Sequence, residues 1–291
     1  MGKTLVIGDT HLMNGLILPM VDKHIQGMEI ENIVFTGDYC DQWNQTNNPE
    51  LYFKDLQFLI NWKEKKEEQG FKVTCLLGNH DIPYLVGMPV SYTLSGDENQ
   101  EQVKKLLLRL RPQISCWSSG FLISHGGYLG ETTIEDWHQI PLSEDFDYNN
   151  SNHELWMKLT RVVAEAGRCR GGFSSYGSPV WADAKNEFPH YPSNIYFHQC
   201  VGHSPVAEVR KISKEGAEII CIDTFSLTLA RFSPYYHPLS PRTGVVLLEN
   251  KKHTVIPVPE WNELPEETFL NYFEEILQKG DARCLTNHRY L

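Results

Sequence analysis

Residues 3–11 read Lys3-Thr4-Leu5-Val6-Ile7-Gly8-Asp9-Thr10-His11, and the same design returns in Ile33-Val34-Phe35-Thr36-Gly37-Asp38 and in Val73-Thr74-Cys75-Leu76-Leu77-Gly78-Asn79-His80-Asp81. Each is a short apolar run rich in β-branched residues that stops at glycine followed by polar residues, as a strand does when it enters a tight loop. Between the runs lie two segments of helical pattern, Leu16 to Gln26 and Pro49 to Gln69. Strand, helix, strand, helix, strand predicts an α/β fold whose parallel strands are joined by right-handed crossovers. Loops that follow parallel strands share one edge of the sheet. The polar residues of these loops are therefore expected to converge on one ligand-binding crevice.

Working outward, Glu98 to Arg111 has a helical pattern, and Ile114 to Ser118 and Phe121 to Ser124 read as two strands, the second running into His125-Gly126-Gly127. Residues 131–190 are less regular, with helices expected at Ile134 to Gln139 and Asn152 to Ala166 and a glycine-rich turn at Arg170-Gly171-Gly172. This segment is expected to cap the crevice. From Ile195 onward strands dominate: Ile195 to Val201 ending in Gly202-His203, then Glu208 to Ile212, Glu218 to Ile222, Thr224 to Arg231 and Val245 to Glu249. They are expected to form a second sheet. Phe269, Leu270, Phe273, Ile276 and Leu277 recur at helical spacing and predict a C-terminal helix over residues 264–279 that packs on a sheet. With no repeat or long linker, the expectation is a single domain spanning residues 1–291.

The 291 residues are 41% apolar, enough for a sizeable core. No apolar stretch approaches the roughly 20 residues of a membrane helix. The N-terminus passes at once into the first strand-like run without a signal-type apolar region, so a cytoplasmic location is expected. The net charge of −11 argues against long nucleic acid as a partner, because phosphate backbones are held by clustered Lys and Arg. The seven cysteines are scattered singly, without the spacing of a structural zinc site, and read as free thiols.

Asp9 and His11 stand two apart in one loop, so both side chains can address one ion while Thr10 turns away. Alone, that pair or Asp38 is an ordinary turn. Gly78-Asn79-His80-Asp81 is a far less common string, and with His125 in Ser124-His125-Gly126-Gly127 and His203 in Gly202-His203-Ser204-Pro205 there are five polar stations, each just after a strand-like run. Carboxylate, imidazole and amide oxygens suit manganese, iron, zinc or nickel, of which manganese is the expected ion, and no motif holds a cysteine for a thiolate site. His24, His138, His153, His190, His198, His237, His253 and His288 lie outside the motifs and read as surface or packed residues, as do Trp181, Tyr191, Tyr235 and Tyr236.

In order and spacing the motifs Gly8-Asp9-Thr10-His11, Gly37-Asp38-Tyr39-Cys40-Asp41, Gly78-Asn79-His80-Asp81, His125-Gly126-Gly127 and Gly202-His203-Ser204-Pro205 resemble the calcineurin-like metallophosphoesterase family, especially its phosphoprotein phosphatase and diadenosine-tetraphosphatase branch. The likeness spans residues 3 to 205, and Ile222-Asp223-Thr224 extends it. It implies two facing mixed β-sheets flanked by helices, a four-layer α/β/β/α sandwich. It also implies two divalent metal ions, the first held by Asp9 and His11, the second by Asn79, His125 and His203, with Asp38 between both. Two ions about 3.5–4 Å apart lower the pKa of a bridging water and clamp the phosphate. His80 is then the general acid, with its ring held by Asp41 and Asp81 as a possible second holder.

Two departures bear on substrate. Gln42 stands where protein phosphatases of this branch have arginine, and a neutral amide lacks the charged bidentate fork that grips a monoester. Arg161, Arg168 and Arg170 are candidates to compensate, with Arg168 and Arg170 the substrate-binding pair. Pro205 stands where many nuclease and phosphodiesterase members have a second histidine. The expected activity is hydrolysis of a phosphomonoester, on a phosphorylated protein or a small molecule. The alternatives are a nucleotide phosphohydrolase or phosphodiesterase acting on a dinucleoside polyphosphate or cyclic nucleotide, and, remotely, a non-catalytic scaffold.

Overall fold

The computed structural model describes residues 2–147, 152–229 and 236–274. The first half runs β1 (Thr4–Ile7), α1 (Asn14–Ile25), β2 (Asn32–Phe35), α2 (Pro49–Glu68), β3 (Lys72–Cys75), α3 (Ile82–Val86) and α4 (Asp97–Arg109). Then follow β4 (Ser115–Ser118), β5 (Phe121–Ser124), α5 (His153–Ala164), β6 (His198–Val201), β7 (Arg210–Lys214), β8 (Ala217–Cys221) and β9 (Leu227–Leu229). Last come β10 (Tyr236–Pro238), β11 (Gly244–Glu249), β12 (Lys252–Pro257), α6 (Glu260–Glu263) and α7 (Glu266–Glu274).

Two mixed five-stranded sheets result, ordered β12-β11-β1-β2-β3 and β4-β5-β6-β8-β7, beside a two-stranded ribbon of β9 and β10. Side chains alternate across each strand. Val6, Val34, Val246 and Leu248 of the first sheet therefore meet Phe121, Ile123, Cys200 and Ile220 of the second in a core between the sheets. Leu5, Ile7, Ile33 and Phe35 point the other way, into the larger core under α1 and α2. The outer face of the second sheet is covered by Leu129, Ala182, Ala184 and Phe188. The flanked two-sheet sandwich is the architecture expected.

Register positions the chemistry. β1, β2 and β3 are parallel and level, with Ile7 opposite Phe35 and Phe35 opposite Cys75. In the second sheet Ser124, Val201 and Cys221 are level on the parallel strands β5, β6 and β8. Six strand ends thus stop together, and the next residues along each strand include Asp9, Asp38, Asn79, His125, His203 and Asp223.

Several expectations change. Val245 to Glu249 joins the first sheet, antiparallel to β1, rather than the second. Ile134 to Gln139 contributes only a 3-10 turn at Asp136–Gln139. β12 is an edge strand that escaped the sequence reading, since Lys252, Thr254 and Val255 are exposed and no apolar face repeats. α7 packs, as expected, on a sheet, here the two-stranded one of β9 and β10, and also on α2: the Phe273 ring lies 4.8 Å from that of Tyr236, and Tyr272 Oη donates to Asp55 at 2.5 Å. Residues 275–279 of the expected helix lie outside the described residues, as do Arg231, Tyr235 and His288. Among the described residues no helix is long and apolar enough to cross a membrane.

Candidate metal centre

The loops after β1, β2 and β3 are tied to one another by their backbones. Thr10 and His11 N–H both donate to the Asp38 carbonyl, at 3.2 and 2.9 Å. Asp81 accepts from the N–H groups of Asp38, Tyr39, Cys40 and Gly78 at 2.8 to 3.2 Å. It is therefore a clamp on the second and third loops, and the role of holding His80 falls elsewhere. Burial, then the charge of Asp38, pushes the Asp81 carboxyl up to about 6 against these bonds. His11, Asp38, Asp41 and His203 all have positive φ, between 40° and 65°. Left-handed backbone is costly for such residues and persists only where surrounding bonds enforce it. The glycines matter for closeness: a Cβ on Gly78 would lie 1.9 Å from Asp38 Oδ1, and one on Gly202 would lie 2.0 Å from Asp9 Oδ1.

Carbonyl partners fix the imidazole tautomers, because a carbonyl can only accept. His125 Nδ1–H donates to the Thr36 carbonyl at 3.0 Å, which turns Nε2 toward Asn79 Oδ1 at 3.0 Å, Asp38 Oδ2 at 3.2 Å and His203 Nδ1 at 3.1 Å. His11 Nδ1–H donates to the carbonyls of Cys40 and Asp41, at 3.1 and 2.9 Å, leaving Nε2 at 3.8 Å from Asp38 Oδ2. Asp9 accepts from Thr36 Oγ1 at 3.1 Å and from His203 N–H at 2.8 Å. Two groups emerge, Asp9/His11/Asp38 and Asp38/His125/His203, whose ligating atoms lie within 4.8 Å of one another in each. Asp38 belongs to both.

Electrostatics agrees with a cation. Asp9, Asp38, Asp81 and Asp223 are all at most 2% exposed. Burial, then Asp223, pushes Asp9 well above the ordinary carboxylate range, and burial raises Asp223. Burial opposes the Asp38 charge too, but His125 and His80 outweigh it and hold that carboxyl low. Burial works against the charged form of His125 as well, yet Asp38 and Asp9 raise it to about 9. Burial, then His125 and Arg170, depresses His203. Oxygen and nitrogen lone pairs crowded round one point among buried like charges are satisfied only by a proton or a cation there. The donor set, oxygen and imidazole without thiolate, fits a divalent metal.

His80 does not join either group. Its Nδ1 donates to Asp41 Oδ2 at 3.0 Å, while Asp41 Oδ1 accepts from Tyr52 Oη at 2.8 Å and Tyr84 Oη at 2.5 Å. That leaves His80 Nε2 for the cavity. The cavity, about 370 Å³, is lined by His11, Asp38, Asp41, His80, Arg170 and His203 together with Gln42, Trp43, Tyr92 and Asp223. A larger one of about 660 Å³ lies between α5 and residues 174–179, away from these groups.

Of the described arginines, only Arg170 lines the cavity. Its Nη2 donates to Ser204 Oγ at 2.8 Å, and its Nε lies 3.2 Å from Asp183 Oδ2. Arg168 is exposed and is not among the lining residues, and Arg161 pairs with Glu165 at 2.7 Å and lines the larger cavity. Gln42 lines the cavity but spends its amide on bracing its loop: it donates to the His11 carbonyl at 3.2 Å and accepts from Trp43 N–H at 2.9 Å.

The profile of the calcineurin-like phosphoesterase family matches residues 2–207. The chain belongs to that family. It is a metallophosphoesterase, a hydrolase of phosphoric esters, from a metal-dependent family, and it carries two candidate metal-donor groups. A comparison with curated proteins finds no match. Solved structures to which the metallophosphoesterase is similar include a protein serine/threonine phosphatase from Saccharomyces cerevisiae (12% identity over 89% of this chain and 83% of that one, TM-score 0.47). Others are a cold-active protein-tyrosine phosphatase from the psychrophile Shewanella sp. (15%, 88% and 80%, TM-score 0.44) and a zinc complex of Vps29 from Entamoeba histolytica (12%, 88% and 99%, TM-score 0.32).

Sequence reasoning missed two contributors to this metallophosphoesterase site. Asp223 follows β8 as His203 follows β6, and that shared register was the available signal. Thr36 orients both Asp9 and His125, a role without any local signature. Trp181, read as packing, does pack on the larger core, with its edge toward the His203 ring and centroids 5.6 Å apart.

Proposed function

We propose that the chain is a phosphatase that cleaves phosphate monoesters at a dinuclear centre, one ion held by Asp9, His11 and Asp38 and the other by Asp38, Asn79, His125 and His203. Manganese is the expected ion. Bound there, the two ions supply Lewis acidity, acidifying water and neutralising the charge on the phosphate. The residues do the rest. Arg170, steadied by Asp183 and Ser204, takes a phosphate oxygen in a charge-assisted hydrogen bond. As water attacks phosphorus, the bond to the leaving oxygen breaks and its electron pair stays on that oxygen. His80, as imidazolium, passes it the Nε2 proton and is left neutral, with Nδ1–H still on Asp41.

The observation that carries this reading is the shared cavity: His80, residues of both donor groups and Arg170 line one space of about 370 Å³. A nucleotide anhydride or diester is the second reading, favoured by the neutral side chain at Gln42. Arg170 answers that by bringing a cation from another part of the chain. Substrates of either kind, on a phosphorylated protein or a small molecule, fit the family.

The test is a panel of p-nitrophenyl phosphate, phosphopeptides, a dinucleoside polyphosphate and a cyclic nucleotide, each with manganese. Monoesters are expected to turn over, and His80→Asn is expected to slow turnover at least about a hundredfold with metal content unchanged. Cleavage of the nucleotides alone would replace the monoester reading. Undiminished turnover in His80→Asn would remove the acid role.

A further inference from the structure

Beyond the donor groups and Arg170, the cavity is lined by Trp43, Tyr92, Pro205, Leu227, Thr228 and Leu239. Trp43 is 59% exposed and Leu239 45% exposed, so two large apolar side chains face solvent at the mouth of a polar site. Trp43 is nevertheless fixed. Its Nε1–H donates to the Leu227 carbonyl at 3.1 Å, and its own carbonyl accepts from Tyr236 Oη at 2.7 Å. Exposed yet anchored, the indole is already in place to receive a partner, so little ordering is left to oppose binding. Tyr92 adds a second ring, centred 4.4 Å from the His80 imidazole and tilted 43° to it. The group that leaves from beside His80 therefore departs next to an aromatic face.

We propose that this wall is a leaving-group subsite and that the preferred substrates are aryl phosphate monoesters, in which one planar ring carries the phosphate directly on its oxygen. The inference rests on the phosphatase reading of the same site and adds the substrate class. Size and polarity select the ring. At about 370 Å³ the cavity is near the low end of ligand sites, which run from about 300 to 1,000 Å³, and so suits one phosphate and one ring system rather than two nucleosides. The wall also lacks what reads a nucleobase edge. Among the described lining residues outside the catalytic set, Ser226 already donates to Asp223 at 2.8 Å and Gln42 braces its loop, leaving the hydroxyls of Thr228 and Tyr92. Apolar contact and ring stacking remain, and both reward a flat aromatic group.

The decisive comparison uses non-hydrolysable phosphonates, which separate ring recognition from leaving-group chemistry. Phenylphosphonate and methylphosphonate are titrated calorimetrically into the manganese-loaded protein, with monoester turnover measured alongside. Phenylphosphonate is expected to bind about tenfold more tightly. Trp43→Ala is expected to bring that ratio to within about twofold of one, and Trp43→Phe, which keeps a ring and guards against misfolding, to retain most of it. Equal affinities in the wild type, or a preference that survives Trp43→Ala in a folded protein, overturn the subsite while leaving the phosphatase reading intact. Binding of neither phosphonate and turnover of no monoester would remove that reading, and the subsite with it.

Discussion

Two regions of the molecule reach the same cavity by different means. Asp9, His11, Asp38, Asn79 and His80 stand on short loops after level parallel strands, and those loops are locked by backbone bonds such as the four N–H groups converging on Asp81. Arg170 comes instead from a 3-10 turn at Arg168–Arg170 in the long connection between β5 and β6, held at its tip by side chains, Asp183 and Ser204. The contrast separates two tasks. The groups proposed to hold the metals are fixed by the sheet itself, whereas the cation proposed for the phosphate is tethered through partners that can be exchanged without disturbing the strands.

Asp81→Ala breaks the first region most severely. Four buried N–H groups lose their acceptor, and at about 1 kcal/mol or more each the variant is expected to lose about 3 kcal/mol or more of unfolding free energy. Urea denaturation measures it, and wild-type stability would mean that the clamp carries no weight. Arg170→Ala should leave the strands unharmed and cost roughly 2 kcal/mol of transition-state stabilisation, about thirtyfold in kcat/KM, as loss of a charge-assisted hydrogen bond does. An unchanged kcat/KM on monoesters would detach Arg170 from the phosphate.

The remaining expected effect is confined to acidic pH and lies in the β5–β6 connection itself. His138 is 3% exposed, and burial depresses it to about 4. Its folded value lies below the unfolded 6.5, so between the two the unfolded chain binds more protons. The stability this neutral imidazole contributes is therefore complete above about pH 6.5 and is lost as pH falls toward 4. Thermal melts at stepped pH should show a slope over that window that is shallower in His138→Gln. Identical slopes would exclude His138 as the source.

The same contrast explains what could be read from the sequence. Asp9, Asp38 and Asn79 were legible because a strand ending in glycine and a polar residue is a local pattern, and three of them in level register make a site. His125 and His203 announced themselves in the same way after β5 and β6. Asp81 was legible as part of a motif but not as a clamp, since its four partners lie on two loops that meet only in the fold. Arg168 and Arg170 are alike in charge and two residues apart, and only the packing of the 3-10 turn against Ser204 and Asp183 tells them apart. Gln42 read as a missing cation, and its use as a brace depends on where the His11 carbonyl lies. The placement of β11 beside β1 is a pairing across more than two hundred residues, which no local pattern encodes.

The dinuclear centre is the claim on which the proposed chemistry depends, and the most direct measurement is the number of manganese ions bound per chain, by calorimetric titration of chelator-stripped protein. Two ions per chain are predicted for the wild type and one for His203→Ala, which removes a ligand from the second group and leaves Asp9, His11 and Asp38 intact. A wild-type protein that binds one ion, or none, would contradict it.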